Sequence, residues 1–181
     1  MTIASRIIRK SCSICYRYLI NRIIVYEACP SSVLYSVNQF NVRKATSLED
    51  IQALIVSDDF RETAKERFQS CHTLYFISQD HREMKAWGWM ANRVQHFYVY
   101  EIADMITFKE PVDVLYDFYT TEEFRNRGAY KTLLTEMVNK GTGGVRKVIY
   151  ALSNNIPSRS AIERCGFRFC GTISHYTKGV L

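Results

Sequence analysis

Apolar and aromatic positions fill most of the stretch from Val112 to Thr120, whose nine residues include no glycine or proline. β-Branched and aromatic residues in such a run are typical of a buried strand. From Ala129 onwards the apolar residues recur at spacings of three and four, which predicts a helix. A polar segment, 121–127, and Gly128 lie between the two. The pattern therefore predicts a buried strand, a charged turn, a glycine and the start of a helix, in that order.

The same patterns predict alternating strands and helices along the rest of the chain. Strands are expected at 23–28, 35–44, 73–78, 84–90, 94–108 (with a bend near Ala103), 146–152 and 167–176. Helices are expected at 47–56, opened by a capping pattern of Ser47 and Asp50, and at 59–69 and 158–165. Pro111 is expected to open the central strand. This alternation predicts an α/β fold, in a mixed α+β arrangement with a mixed sheet and helices on both of its faces.

Residues 1–24 form a pattern of their own. Apolar residues fill one side of a helix drawn through them, and a basic group gathers on the other side: Arg6, Arg9, Lys10 and Arg17. Three roles stay open for this helix: it lies on an anionic membrane surface, it packs on this domain or on the partner subunit of a homodimer, or it is a cleaved mitochondrial presequence. We therefore divide the chain into a basic amphipathic N-terminal extension, 1–34, and a domain, 35–181.

Composition and charge narrow the classes of protein. A chain of 181 residues with 47% hydrophobic residues is enough for one well-packed domain. The net charge is +6, but residues 1–29 hold five basic residues against Glu27 alone, which is not the even basic surface of a nucleic-acid-binding protein. The six cysteines are scattered, which predicts a reducing, cytoplasmic location, peripheral at the inner membrane face if the N-terminal helix binds lipid. No metal site is expected, because Cys12-x-x-Cys15 has no second cysteine pair.

The charged turn before the predicted helix has the features of an anion site. A helix start offers unpaired N–H groups and the positive end of the helix dipole. Gly128 lets a bulky anion approach the backbone, and Arg125 and Arg127 add forked donors. The spacings of a P-loop and of a dinucleotide fingerprint are both absent. The turn is therefore predicted to bind a phosphate or a pyrophosphate.

The run Arg125-Asn126-Arg127-Gly128-Ala129-Tyr130 resembles the [QR]-x-x-G-x-[GA] turn of the GNAT superfamily, the acetyl-CoA-dependent N-acetyltransferases. A second block at 148–167, VIYALSNNIPSRSAIERCGF, is similar to that family's later strand, Asn-containing loop, short helix and terminal Gly-Phe. The first block departs from the family at its last position, where Tyr130 stands in place of Gly or Ala. The resemblance implies a splayed central sheet, with acetyl-CoA as co-substrate entering between the strands at 112–120 and 146–152.

The resemblance also implies which residues bind acetyl-CoA. The thioester carbonyl would be polarised by backbone amides at the end of the central strand, those of Phe118, Tyr119 and Thr120. The pyrophosphate would rest on the turn and the helix start, formed by Arg125, Asn126, Arg127, Gly128, Ala129 and Tyr130. Asn155 and Ser158 match family positions that contact the pantetheine or phosphate end.

A structural role stays open for several of these residues. The two arginines would then lie on a solvated turn and pair with Glu122 and Glu123. Asn155 would be a loop residue, and Ser158 would be the N-cap that begins the helix at 158–165.

Two carboxylates are candidates for the general base. Asp117 lies mid-strand among apolar residues, where burial would raise its pKa towards a useful value, or where it would instead hold a loop by hydrogen bonds. Glu101 is the second candidate, on an aromatic stretch expected to face the acceptor. The family's thiolate-protonating tyrosine falls at Ile162 in this chain, so that role would pass to Tyr119, to Tyr130 or to water. The four histidines are expected to be structural or exposed.

The sequence therefore predicts an N-acetyltransferase that moves acetyl from acetyl-CoA to a primary amine. The aromatic run at 96–100 suits stacking on a sugar ring or a nucleotide base, so an amino sugar is the first expectation for the acceptor. The alternative is a non-catalytic module that binds CoA, or a membrane-associated interaction protein anchored through residues 1–24.

Overall fold

The computed structural model describes residues 22–28, 40–80, 82–140 and 144–174. Its strands are β1 (Arg22–Ala28), β2 (Val42–Ala45), β3 (His72–Gln79), β4 (Glu83–Val99), β5 (Asp104–Thr120), β6 (Lys147–Leu152) and β7 (Phe167–Ser174). Its helices are α1 (Asp58–Gln69), α2 (Ala129–Lys140) and α3 (Ile156–Arg164). The strands form one sheet in the order β2-β3-β4-β5-β6-β1-β7, in which β5 and β6 are parallel and the other neighbours are antiparallel. The predicted fold class, a mixed sheet in an α/β chain, is confirmed.

Helices cover both faces of the sheet, as the alternation of elements predicted. Along β3, Leu74 and Phe76 belong to the apolar cluster that contains Ala64 of α1. The alternate residues Tyr75 and Ile77 belong to a second cluster, with Leu133 of α2 and Ile162 of α3. This division follows from the strand period of two residues, which sends successive side chains to opposite faces.

Strands β5 and β6 pair over a short stretch and then separate. Their parallel ladder joins Asp113, Val114 and Leu115 to Lys147, Val148 and Ile149. Among the described residues β5 has no partner in β6 beyond Leu115, although β5 continues to Thr120. The sheet is therefore splayed between these two strands, as the resemblance to the GNAT superfamily implied.

A β-bulge in β5 lies beside this opening. Trp87 of β4 pairs with Tyr119, and Trp89 pairs with Tyr116, so that Asp117 and Phe118 together face the single residue Gly88. Asp117 has a positive φ of 50°, a conformation that Asp and Asn adopt more readily than most residues. The extra residue breaks the alternation of faces. Tyr116 and Asp117 consequently point to the α1 face, and Phe118 points to the face of α2 and α3.

Strand β1 lies inside the sheet, between β6 and β7 and antiparallel to both. The helix predicted for 1–24 is therefore wrong at residues 22–24, because Ile23 and Ile24 are buried on opposite faces of a strand. The rest of that helix, 1–21, lies outside the described residues. The division at residue 34 assigns β1 to an extension, whereas its pairing makes β1 an interior strand of the domain. In the described part of the chain, no helix is long and apolar enough to cross a membrane.

The helices predicted at 59–69 and from Ala129 and the strands predicted at 73–78 and 146–152 are confirmed within a few residues. The helix predicted at 47–56 is wrong, since only a 3-10 turn forms, at Glu49–Ile51. Asp50 lies within this turn, and its carboxylate accepts hydrogen bonds from the backbone N–H groups of Thr46 and Ser47, which precede the turn. The helix stops because the chain turns to pair with the start of β4, where the N–H of Ile55 donates to the carbonyl of Arg82.

The stretch predicted as one strand with a bend, 94–108, is the tip of the hairpin formed by β4 and β5. The two strands are joined by a turn at residues 100–103, close to the predicted bend. Pro111 lies within β5 rather than at its start. The ladder with β4 is irregular between the pairs Val94–Val112 and His96–Thr107. Pro111 is tolerated there because the ladder needs no backbone N–H donor at that position.

Candidate active site

The end of β5 is bordered by two clefts, one on each face of the sheet. The cleft beside α2 and α3 has a volume of about 770 Å³, and we call it the α3 cleft. The cleft between α1 and the tip of the β4–β5 hairpin has a volume of about 610 Å³, and we call it the α1 cleft. Tyr116 and Asp117 line the α1 cleft, whereas Phe118, Tyr119 and Thr120 line the α3 cleft. The bulge thus divides consecutive residues of one strand between two binding spaces.

The α3 cleft contains nearly all the residues predicted to bind acetyl-CoA. From the turn and α2 it is lined by Arg125, Asn126, Gly128, Ala129 and Tyr130, and from the loop and α3 by Asn155 and Ser158. Arg127 does not line it. Its guanidinium lies 5.8 Å from the ring centroid of Phe124. The predicted residues are therefore brought together in space, with that one exception.

The start of α2 presents the anion-binding features that the sequence predicted. Gly128 has a φ of 83°, and its carbonyl accepts the first helical hydrogen bond, from the N–H of Thr132. Asn126 is also in the left-handed region, with a φ of 58°. The N–H groups of the first helical turn have no carbonyl within the helix to bind. The residues that carry them, Ala129, Tyr130 and Lys131, line the cleft. An anion at this point would meet both these donors and the helix dipole.

The charges around the α3 cleft are positive. Its described lining includes Arg125, Lys131 and Arg164 but no carboxylate. The Nε atom of Arg125 donates to the carbonyl of Thr120 at 3.2 Å, which holds the guanidinium near the end of β5. The alternative role, in which the arginines of the turn pair with Glu122 and Glu123, is partly observed. Arg125 lies 3.6 Å from Glu122, whereas Glu123 pairs with Lys85. Both groups of the Arg125–Glu122 pair are largely exposed, so the pair is a weak restraint.

Lys131 and Arg164 were missed by the sequence reasoning. A signal was present, because Lys131 lies in the first turn of α2 and Arg164 in the last turn of α3. To find them, one must know that the start of α2 and the end of α3 lie side by side. The resemblance to a family fold implied this arrangement, but no spacing in the sequence shows it.

An aromatic pair forms the inner wall of the α3 cleft. The rings of Phe118 and Tyr130 meet edge to face at a centroid distance of 5.1 Å. Burial raises the pKa of the Tyr130 phenol, which therefore stays protonated. Tyr130 thus packs as an apolar wall residue, which explains how a large side chain fits where the family has Gly or Ala.

Asn155 is the N-cap of α3, because its Oδ1 accepts from the backbone N–H of Ser158 at 3.2 Å. The expectation that Ser158 begins this helix is wrong, since the helix already starts at Ile156. Asn155 therefore has a structural role as well as a position in the cleft wall, and Ser158 lies within the first turn of α3.

The α1 cleft is predominantly acidic. Three carboxylates line it, those of Glu66, Glu101 and Asp117, against one guanidinium, that of Arg67. Tyr98 and Tyr100 stand at its rim, 42% and 77% exposed, with their rings edge to face at 5.0 Å. Such a surface suits a cationic ligand with a ring or an apolar face.

The environment predicted for Asp117 is wrong. Its side chain is 50% exposed, and its Oδ2 accepts from Nη1 of Arg67 at 2.5 Å. The desolvation expected of a mid-strand residue is missing because the bulge turns Asp117 outwards to α1. Glu101, the second candidate, is half-buried in the same cleft and accepts from the hydroxyl of Tyr150 at 3.4 Å.

Further polar side chains of the α1 cleft were not singled out from the sequence. Nδ1 of His72 lies 2.7 Å from Oη of Tyr116, and the guanidinium of Arg67 packs over the rings of Trp89 and Tyr116 at 4.9 and 5.0 Å. Burial, and secondarily the charge of Arg67, lowers the pKa of His72. No sequence signal links these residues, because they come from four elements, α1, β3, β4 and β5, that only the fold brings together. In the described residues no group of three or more His, Cys, Asp or Glu side chains could hold a metal ion.

No protein-family model matches the sequence, and no curated protein matches it. Solved structures do match the fold. An acetyltransferase of the GNAT family from Colwellia psychrerythraea matches with a TM-score of 0.58 and 17% identity over 83% of this chain, which spans 53% of that chain. The aminoglycoside N-acetyltransferase AAC(6')-Iy in complex with CoA matches with a TM-score of 0.54 and 19% identity, over 77% of this chain and 99% of that one. The aminoglycoside 6'-N-acetyltransferase AAC(6')-Ih from Acinetobacter baumannii has a TM-score of 0.52 and 15% identity, over 78% and 99% of the two chains. With its splayed sheet and the glycine turn before α2, this chain has the fold of the GNAT-family acetyltransferases.

Proposed function

We propose that the protein transfers an acetyl group from acetyl-CoA to a primary amine. The observation that carries this proposal is the bulge in β5, which puts a basic cleft and an acidic cleft on either side of two adjacent residues, Asp117 and Phe118. An anionic co-substrate and a cationic acceptor would approach from opposite faces and meet at this strand. Holding two reactants together in this way removes much of the entropic barrier to a bimolecular reaction.

The α3 cleft fits acetyl-CoA. Its pyrophosphate would bind to the N–H groups at the start of α2, and Arg125 and Lys131 would add positive charge. Its pantetheine arm would follow the gap that opens where β5 and β6 separate after Leu115. The apolar rings of Phe118 and Tyr130 would then lie beside the arm and exclude water from it.

The open edge of β5 supplies donors for the thioester carbonyl. The N–H of Thr121 points to β4, where it donates to the carbonyl of Lys85 at 2.9 Å. Successive N–H groups of a strand point to opposite edges, so those of Phe118 and Thr120 face the edge that β6 leaves open. A backbone donor fixed at the carbonyl stabilises the charge that develops on its oxygen during attack.

The α1 cleft fits the amine. Asp117 and Glu101 would attract the ammonium group and hold it beside β5, and Tyr98 and Tyr100 would pack on the rest of the acceptor. An amino sugar suits these features, because it combines ammonium groups with rings whose apolar faces stack on tyrosine. Two of the structural neighbours are aminoglycoside N-acetyltransferases, which supports an acceptor of this kind.

Release of free CoA thiol tests the proposal. The purified full chain is incubated with acetyl-CoA and, in separate reactions, with neamine, glucosamine or putrescine, and the thiol is followed with a chromogenic reagent. We expect release that depends on the amine, and an acetylated amine by mass spectrometry. Saturable acetyl-CoA binding without amine-dependent thiol release would instead identify a non-catalytic CoA-binding module.

A further inference from the structure

Tyr116 and His72 form a hydrogen-bonded pair in the wall of the α1 cleft. Oη of Tyr116 lies 2.7 Å from Nδ1 of His72, and their rings meet edge to face at a centroid distance of 5.6 Å. Both residues line the cleft in which the proposed function puts the acceptor amine. Tyr116 is also next to Asp117 at the bulge.

The protonation states of the pair suit transfer of a proton from the tyrosine to the histidine. Burial raises the pKa of the Tyr116 phenol, so the hydroxyl is protonated and donates. Burial, and secondarily the charge of Arg67, lowers the pKa of His72 below its ordinary value of 6.5, so the imidazole is neutral near physiological pH. In the neutral tautomer that carries its proton on Nε2, Nδ1 has a lone pair that accepts from the phenol.

The surroundings favour this pair over the nearest carboxylate as the proton acceptor. Asp117 is engaged by the guanidinium of Arg67, which also packs over the ring of Tyr116. The other titratable groups of the cleft are Glu66 from α1, His96, Tyr98, Tyr100 and Glu101 from the hairpin, and Tyr150 from β6. An imidazolium formed on His72 would be repelled by Arg67 and would lose its proton readily to solvent.

We infer that Tyr116 is the catalytic residue that deprotonates the acceptor amine and that His72 takes up the proton through it. This inference rests on the proposed acetyl transfer. The ammonium group passes one proton to Oη as the phenol proton moves to Nδ1, and the imidazolium then releases that proton to solvent. The neutral nitrogen attacks the thioester carbonyl carbon, the carbon–sulfur bond breaks, and a second proton from the nitrogen ends on the thiolate. The products are the acetylated amine, CoA thiol and one proton.

Removal of the tyrosine hydroxyl tests the relay. Tyr116→Phe keeps the ring, and with it the packing on Phe97 and Arg67. With acetyl-CoA and the fastest amine among neamine, glucosamine and putrescine, we expect kcat to fall about a hundredfold while the KM for acetyl-CoA is unchanged. His72→Gln should lower kcat to a similar extent. The double variant should be no slower than either single variant, because the two groups act as a unit.

The pH profile separates a proton relay from a purely structural role. The wild-type kcat/KM for the amine should show an inflection below pH 6.5, the ordinary value for histidine, and His72→Gln should lack it. Tyr75→Phe is the matched control, because it removes a buried hydroxyl from β3 on the other face of the sheet, and it should keep both kcat and the profile. Thermal unfolding checks that each variant is folded.

Two outcomes would count against the relay, and they are distinguishable. Wild-type kcat and an unchanged pH profile in folded Tyr116→Phe would overturn the relay and leave acetyl transfer standing. An absence of thiol release by the wild type with all three amines would overturn the proposed function, and the relay with it.

Discussion

A Cβ atom placed on Gly88 would lie 2.4 Å from Cε1 of Phe118, a distance that real Cβ contacts do not show. Gly88 is the single residue of β4 that faces the bulge at Asp117 and Phe118. Its missing side chain leaves room for the Phe118 ring to lie against β4 on the face of α2 and α3. The ring in turn forms the wall of the α3 cleft with Tyr130. Gly88 therefore determines where a residue of the proposed acetyl-CoA site lies.

Gly88→Ala should displace the Phe118 ring into the α3 cleft. We expect the affinity for acetyl-CoA, measured by calorimetry, to fall about tenfold, with a loss of stability of about 1–3 kcal/mol from overpacking. The double variant Gly88→Ala/Phe118→Leu provides the control, because a smaller side chain relieves the clash. We expect the double variant to have nearly the same affinity for acetyl-CoA and the same stability as Phe118→Leu alone. Equal losses of affinity with and without Phe118→Leu would show that the ring is not the cause.

The general plan of the fold was predictable from the sequence because it depends on local patterns. The strand at Val112, the helix at Ala129 and the glycine between them are each visible in the chain, and the structure joins them as expected. The bulge was not predictable, since an Asp with a positive φ has no pattern of its own. Because the bulge decides which face Asp117 points to, the predicted burial of that carboxylate was wrong. The His72–Tyr116 pair likewise depends on the register of β3, β4 and β5, which the hydrophobic pattern does not specify.

Gly128→Trp should abolish binding of acetyl-CoA, because a bulky side chain at the start of α2 covers the N–H groups proposed for the pyrophosphate. A substitution at Gly128 is also strained by its φ of 83°. Gly144→Trp is a matched control: Gly144 has a φ of 79°, and no described atom lies within 4 Å of a Cβ placed there. Both variants should lose similar stability, and only Gly128→Trp should lose binding in calorimetry. Unchanged affinity in folded Gly128→Trp would remove the pyrophosphate from the start of α2.

Asp117→Asn and Glu101→Gln should weaken binding of the amine more than they slow the chemical step. Each change removes one negative charge from the α1 cleft. Asn is chosen at position 117 because, like Asp, it readily adopts the positive φ found there. We expect the KM for the amine to rise about tenfold while kcat changes by less. Steady-state kinetics with varied amine measures both parameters. If kcat fell sharply in Asp117→Asn and the pH–rate profile changed, Asp117 would be the general base that the sequence suggested.

Glu27→Gln should test how firmly β1 is fixed to the rest of the sheet. Two hydrogen bonds of 2.8 Å join the carboxylate of Glu27 in β1 to the guanidinium of Arg146, just before β6. A paired, partly exposed contact of this kind contributes about 1 kcal/mol, which corresponds to a decrease in Tm of roughly 2–4 °C for a domain of this size. Glu62→Gln on the exposed surface of α1 is the control, and it should leave Tm unchanged.

The pH dependence of this loss distinguishes the ion pair from a packing effect at Glu27. The hydrogen bond with Arg146 lowers the pKa of Glu27 below its ordinary value of 4.5. The folded state therefore binds this proton less readily than the unfolded state, so the stabilisation is complete above about pH 4.5 and is lost as the pH falls through the folded-state pKa. Thermal unfolding from about pH 7 down to about pH 3 should show the wild type and Glu27→Gln converging as the carboxyl is protonated. A difference in Tm that stays constant over that range would assign the loss to altered packing of β1 and not to the ion pair.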